Sequence, residues 1–333
     1  MAFSLPNFVK YMPYYKVQRY TGIEGFLKAN APNCKEGLLS AYVLSCCSTV
    51  DLTRKKIEAR GIKWVPFHYE IDGKEHLDDF GETIPYDDFY AAMAKGSSTK
   101  TSQVNVGEFY EHFKAIASEG KDILHISFSS GLSGAYSSAE IAAKTIREEF
   151  PERNVIVIDS LCASSGYGLF MDKLADLKES GMDMDELAAF ALDNRLNVHH
   201  WFFSTDLHYY VLGGRISKAA GAICGALKIC PVLNMSNEGK LTPREKVRTK
   251  KRAIARVVDI MKEHAADGKE YRGKVFICNS ACLEDAQAVA NMVEEAFPQM
   301  DGPVEIFPIG TTIGSHTGPG TVSLFFWGDE RLD

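Results

Sequence analysis

The densest group of side chains able to do chemistry is the run of hydroxyls and glycines from Ile126 to Ala135, Ile-Ser-Phe-Ser-Ser-Gly-Leu-Ser-Gly-Ala. Two chemistries suit it: hydrogen bonding to an anion, or nucleophilic attack by one serine. Upstream, Lys121 to Phe128 (KDILHISF) is an apolar run of buried-strand type, and downstream Ala139, Ala142, Ala143, Ile146 and Phe150 recur at helical spacing. The junction therefore predicts a helix N-terminus with Ser133 as its cap. The first N–H groups of a helix have no backbone partner and carry partial positive charge, so a carboxylate or phosphate placed there is stabilised.

The nucleophile reading rests on Gly131-Leu132-Ser133-Gly134-Ala135, which comes within one residue of a G-x-S-x-G elbow. His316 follows in hydrolase order, but no Asp or Glu is singled out as the third member of a triad. Several hydroxyls side by side fit an anion cradle better than one exposed nucleophile, and serine hydrolysis at Ser133 stays as the alternative. Thr101-Ser102-Gln103 adds neutral hydroxyls ahead of a second helical pattern, and the bland reading of such a pair is a cap or a turn. His316 lies among three glycines and a proline in Ile313 to Gly320, which reads as a loop. Positive charge comes from Arg215 in Gly-Gly-Arg-Ile-Ser and from Arg248 in the run Arg244 to Arg256, either a solvated face or a site for an acidic partner.

The elements that must position these residues alternate. Apolar runs at Ala41 to Cys47, Ile123 to Phe128, Val155 to Asp159 and Val275 to Asn279 suggest parallel strands. Helical patterns occupy Gly107 to Ser118, Gly134 to Phe150, Met184 to Leu196 and Leu283 to Phe297. Val65, Phe67, Tyr69 and Ile71 alternate up to Asp72-Gly73, an antiparallel element with a tight turn. Trp201 to Asn234 is strand-rich, Asn237 to Lys240 is a hairpin turn, a long charged helix is expected from about Thr242 to His264, and Val304 to Trp327 is again strand-like.

With 333 residues, 45% of them hydrophobic, the chain is too long for one ordinary core, and two domains are expected. A net charge of −7 without an extended basic face argues against nucleic acid. No apolar stretch reaches the roughly 20 residues of a membrane span, and the N-terminus lacks a signal-peptide core, so a cytoplasmic protein is expected. The eight cysteines form no C-x-x-C pair and read as buried thiols. Cys278 and Cys282 have no neighbouring histidine or cysteine to complete a tetrahedral set, so no metal is expected. Neither a P-loop nor a G-x-G-x-x-G turn is present, which argues against nucleotide chemistry of the chain's own.

In order along the chain, Ser48-Thr49-Val50-Asp51-Leu52, Thr101-Ser102-Gln103, Ser129 to Gly134, Val157-Ile158-Asp159-Ser160, Gly213 to Ser217, Lys246 to Thr249 and the Gly314 to Gly320 segment resemble the DegV family, the bacterial fatty-acid-binding proteins that include FakB. The resemblance covers about Ala41 to Gly328. It implies a two-domain α/β fold, with a parallel-sheet N-terminal domain (39–162) and a C-terminal domain with a mixed sheet (163–333) closing an acyl tunnel. Residues 1–38 are an extension without a counterpart. It implies one buried long-chain fatty acid, its carboxylate held by Thr101, Ser102, Ser130, Ser133, Gly134 and His316, with Arg215 and Arg248 at the mouth or facing a partner. It further implies no catalytic residue and no cofactor: the protein presents its lipid to a separate ATP-dependent fatty acid kinase for phospholipid synthesis, with transient contact at a membrane surface. A sensor or store without a kinase is the nearest variant of that reading. Two positions depart from the family pattern, Cys47 where an aspartate is usual and Val104 where a proline is usual.

Overall fold

Short apolar runs without polar alternation suit strands covered on both faces, and three of them build the first sheet of this structure. The computed structural model describes residues 42–222 and 229–331, all within one compact unit that begins at Leu39. The extension over 1–38, Cys34 and Cys224 lie outside the described residues. In chain order the elements are β1 (Tyr42–Cys47), α1 (Arg54–Ala59), β2 (Lys63–Val65), β3 (His68–Ile71), β4 (Lys74–Leu77), α2 (Tyr86–Ala94), β5 (Thr99–Ser102), α3 (Val106–Ser118), β6 (Asp122–Ser127), α4 (Ala135–Glu149) and β7 (Val155–Asp159). They continue as α5 (Ser164–Glu179), α6 (Met184–Asn194), β8 (Val198–Ser204), α7 (His208–Leu212), α8 (Lys218–Ala222), β9 (Ile229–Met235), β10 (Leu241–Arg248), α9 (Lys250–His264), β11 (Phe276–Asn279), α10 (Leu283–Ala296), β12 (Glu305–Pro308), α11 (Thr311–Thr317) and β13 (Thr321–Trp327).

The fold is α/β, with a parallel sheet in its N-terminal part and a mixed sheet in its C-terminal part. The first sheet has the order β2-β1-β6-β7, all parallel. The second has the order β10-β9-β8-β13-β11-β12, antiparallel except for the β11–β12 pair. Thus the fourth apolar run, at 275–279, does not join the parallel sheet. A small antiparallel sheet, β4-β3-β5, carries Thr101 beside Tyr69. Among the described residues no helix is long and apolar enough to cross a membrane.

Three local expectations are corrected. The charged segment expected as one helix from Thr242 begins as the edge strand β10. The turn at Ser236–Lys240 folds it back on β9, from Met235↔Leu241 to Ile229↔Arg248, and only at Lys250 does helix begin. Backbone pairing across the hairpin outweighs the charge pattern there. His316 lies not in a loop but in the last turn of α11, which ends at Gly318 with φ +64. The cap of α4 is Gly134, not Ser133. Helix α5 gave no periodic signal because 11 of its 16 residues are buried, leaving no polar face to mark it.

One buried carboxyl ties the layers together. Asp51, just past β1, accepts the Gly310 N–H at 3.0 Å and the Ser164 hydroxyl, while its carbonyl accepts Ser165 Oγ at 2.8 Å. It therefore joins the starts of α5 and α11. Both Asp51 (φ 44) and Ser164 (φ 54) adopt left-handed backbone, a strain of about 1–3 kcal/mol each that the surrounding contacts must hold. Asp78 lies close by, bonded to Thr311 Oγ1 (3.0 Å) and the Thr312 N–H (3.3 Å). Among the described residues neither carboxyl pairs with a cation. Burial pushes the Asp51 carboxyl well above the usual range, with Asp78 adding to the rise, and burial raises Asp78 too. A raised folded pKa stabilises below the unfolded value of about 4 and loses that contribution as pH rises through the folded value. In urea titrations at pH 5 and pH 8, Asp51→Asn should therefore lose less stability between the two than the parent. An equal or larger loss would show that the carboxyl is not held neutral.

Candidate functional site

Alternation along β5 turns Thr99 and Thr101 inward and leaves Lys100 and Ser102 exposed. Both inward threonines meet α11: Thr99 Oγ1 donates to the Ser315 carbonyl at 3.3 Å, and Thr101 Oγ1 lies 2.7 Å from His316 Nε2. Burial holds His316 down to about 3, and Arg215 pushes the same way, so the imidazole is neutral. Its Nδ1 is buried, has no hydrogen-bond partner and packs against Gly213, where any Cβ would collide with it. A bare lone pair fits against that Cα better than an N–H would. This assigns the proton to Nε2, which donates to Thr101 Oγ1 and leaves the Thr101 O–H free to donate.

Ser133 approaches from the other side. Its loop is braced by Ser129, whose Oγ donates to the Gly239 carbonyl at 2.8 Å at the β9–β10 turn and accepts the Gly131 N–H. At Gly131 any Cβ would overlap the Glu238 carbonyl, so no side chain fits under that turn. Ser133 Oγ accepts the Ala135 N–H at 3.2 Å, which leaves its own proton available. Beyond that bond the first turn of α4 carries no acidic residue, and its N-cap, Gly134, has no side chain to offer. Arg215 lies half-buried at the edge, donating to the carbonyls of Gly213 (2.6 Å) and Leu132 (3.4 Å). No carboxylate pairs with it among the described residues.

These groups line a cavity of about 500 Å³ together with Phe67, Phe128, Phe202, Tyr210, Ile309 and Phe325. The volume is that of a ligand pocket, and its lining combines large apolar side chains with a limited set of polar groups. Of the residues singled out in the sequence, Thr101, Ser102, Ser133, Gly134, Arg215 and His316 line it. Ser130 and Arg248 do not. Ser130 is exposed and its N–H goes to Asp159 Oδ1 at 3.1 Å, while Arg248 is exposed at the end of β10. Phe202 and Tyr210 line the cavity and their neighbours Phe203 and Tyr209 do not.

Gln103, which closes the Thr101-Ser102-Gln103 motif, also lines the cavity, and sequence reasoning missed Ser164, His200, Thr312 and Ser323 there. His200 is satisfied within the protein, its Nδ1 toward the Val198 carbonyl (2.9 Å) and its Nε2 accepting the Ala163 N–H (3.2 Å). No local sequence signal marks Ser164: it reaches the site through its hydroxyl bond to Asp51, 113 residues away in the chain.

The site is thus a cavity lined by aromatic and aliphatic side chains together with neutral hydroxyls, an uncharged imidazole and one arginine. The family model described as "Uncharacterised protein, DegV family" matches residues 47–329, and the chain belongs to the DegV family. The DegV domain-containing protein CPE0026 of Clostridium perfringens is 32% identical over 88% of this chain and 99% of its own length. A DegV lipid-binding protein from Thermotoga maritima superposes with a TM-score of 0.73 at 27% identity, covering 87% of this chain and 99% of that one. A DegV family protein from Thermus thermophilus, solved in a study of its fatty acid binding, gives a TM-score of 0.77 at 25% identity over 86% and 99%.

The Thr101–His316 bond can be tested without ligand. Thr101→Val keeps the side-chain shape and strands the buried His316 Nε2–H, a cost of about 1–3 kcal/mol. Urea denaturation reads it. A neutral result would show that the hydroxyl does not hold the imidazole in place.

Proposed function

We propose that this chain binds one long-chain fatty acid in the cavity and presents its carboxylate to an ATP-dependent fatty acid kinase, working in the cytoplasm as a carrier and not as the catalyst. The observation that carries the lipid reading is one cavity lined both by large apolar side chains and by two hydroxyls free to donate, one of them held by a neutral imidazole. The fatty-acid and lipid binding of the Thermus and Thermotoga relatives supports it. In this reading the Thr101 and Ser133 hydroxyls donate to the carboxylate, with Ser102, Gly134 and the open first turn of α4 beside it. Residues 39–162 supply the head-binding half and 163–333 the half that closes over the tail. Arg215 guards the mouth, and the exposed Arg248 faces the kinase.

Tail and head divide the work. Burying about sixteen carbons at roughly 0.8 kcal/mol per CH2 gives on the order of 10 kcal/mol gross, before the costs of ordering. Each hydroxyl contact nets about 1 kcal/mol, so the head mainly fixes which carboxyl oxygen meets the phosphoryl donor. A serine hydrolase is disfavoured on geometry: His316 Nε2 is engaged by Thr101, and no acid orients Nδ1.

Extraction of the purified protein with organic solvent, followed by mass spectrometry, should release long-chain fatty acids in near-equal amount to the protein. An empty extract that stays empty after incubation with palmitate or oleate would overturn the lipid reading. With lipid bound, addition of a fatty acid kinase and ATP should yield acyl-phosphate. Ser133→Ala should slow that transfer far more than it lowers lipid retention, and complete loss of lipid from a folded Ser133→Ala protein would refute the division of labour.

A further inference from the structure

Successive residues of a strand face opposite sides of the sheet, so β8 turns His200 toward the cavity and His199 away from it. On that far side His199 meets His264, from the last turn of α9, and Asp329, just beyond β13. His199 Nε2 lies 2.9 Å from the Asp329 carbonyl and 3.0 Å from its Oδ1. His264 Nδ1 lies 3.2 Å from both carboxylate oxygens. Among the described residues this is the one group of three such side chains whose ligand atoms all fall within 4.8 Å of one another.

We propose that His199, His264 and Asp329 form a binding site for a divalent transition-metal ion such as zinc, which clips the chain after β13 to β8 and α9. Two imidazole nitrogens and a carboxylate, with the Asp329 carbonyl beside them, make a donor set of the borderline type that zinc, cobalt and nickel prefer. The ligands are presented by anchored backbone: Asp329 N–H donates to the His264 carbonyl (3.1 Å), Gly328 N–H to Asn197 (2.8 Å) and Ala266 N–H to Trp327 (3.0 Å). Arg244 and Arg331 border the same crevice and oppose a cation, while Glu245 and Glu330 offset them.

The geometry also supplies an optical signal. Trp201 Nε1–H now donates to His199 Nδ1 at 3.3 Å, so the imidazole proton sits on Nε2. A metal on Nε2 moves that proton to Nδ1, where it faces the indole N–H, and Trp201 must turn away. Metal binding is therefore coupled to Trp201 fluorescence.

The full-length chain, freed of metal with a chelator, is titrated separately with zinc, cobalt and nickel ions. One ion per chain should bind with a change in tryptophan fluorescence. His264→Ala and Asp329→Asn should each weaken binding roughly tenfold or more, while Trp201→Phe should keep the binding and lose the optical change. Fatty acid retention should be unaffected in His264→Ala. No saturable binding by the parent chain, or affinities unchanged in both ligand variants, would overturn the site and leave the cluster a hydrogen-bonded clasp.

Discussion

The hydrogen bond between Thr101 and His316 spans 215 residues of sequence, and the mouth of the cavity depends on it. It joins the small antiparallel sheet to a short helix between the last strands of the mixed sheet. Neither partner is useful alone. Buried without Thr101, the imidazole would have an unmatched donor, and without the imidazole the threonine hydroxyl would have no fixed direction. Together they leave one proton aimed outward and no net charge. Neutrality matters because a permanent cation inside this wall would cost several kcal/mol in desolvation. The one positive side chain, Arg215, stays at the rim, half in water.

The framework around that bond is assembled from contacts between the halves of the chain. The β9–β10 turn sits on the Ser129–Ser133 loop, and its fit requires a glycine at 131. Asp51 links the ends of three elements through a buried carboxyl whose pKa burial pushes up. Salt bridges of Arg60 and Lys274 to Asp172 and Asp176 connect α1 and the segment before β11 through α5. Of the two residues in left-handed backbone at the Asp51 link, Ser164 lines the cavity and Asp51 holds it from behind.

The serines illustrate how one motif separates into roles. Of three hydroxyls that look alike in sequence, Ser129 braces a turn, Ser130 lies in solvent and Ser133 faces the cavity. Cys47 is buried with its Sγ 4.0 Å from His125 Nε2 and does not line the cavity. Arg248 and Arg215 are equally basic in sequence, yet only one reaches the cavity, because β10 runs as an outer edge strand.

The sequence by itself determined the local chemistry. Apolar runs without alternation placed β1, β6 and β7, helical spacing placed α3, α4, α6 and α10, and Asn237 to Lys240 placed the hairpin turn, since each depends on neighbours within a few residues. The ordered motifs identified the family and most of the mouth. Only tertiary structure decided which hydroxyls face inward, that the segment before Lys250 is strand, that α5 exists, and that His316 is neutral and paired. It alone brought His199, His264 and Asp329 together. These outcomes rest on burial and on partners dozens to hundreds of residues away, and a linear pattern carries no record of either.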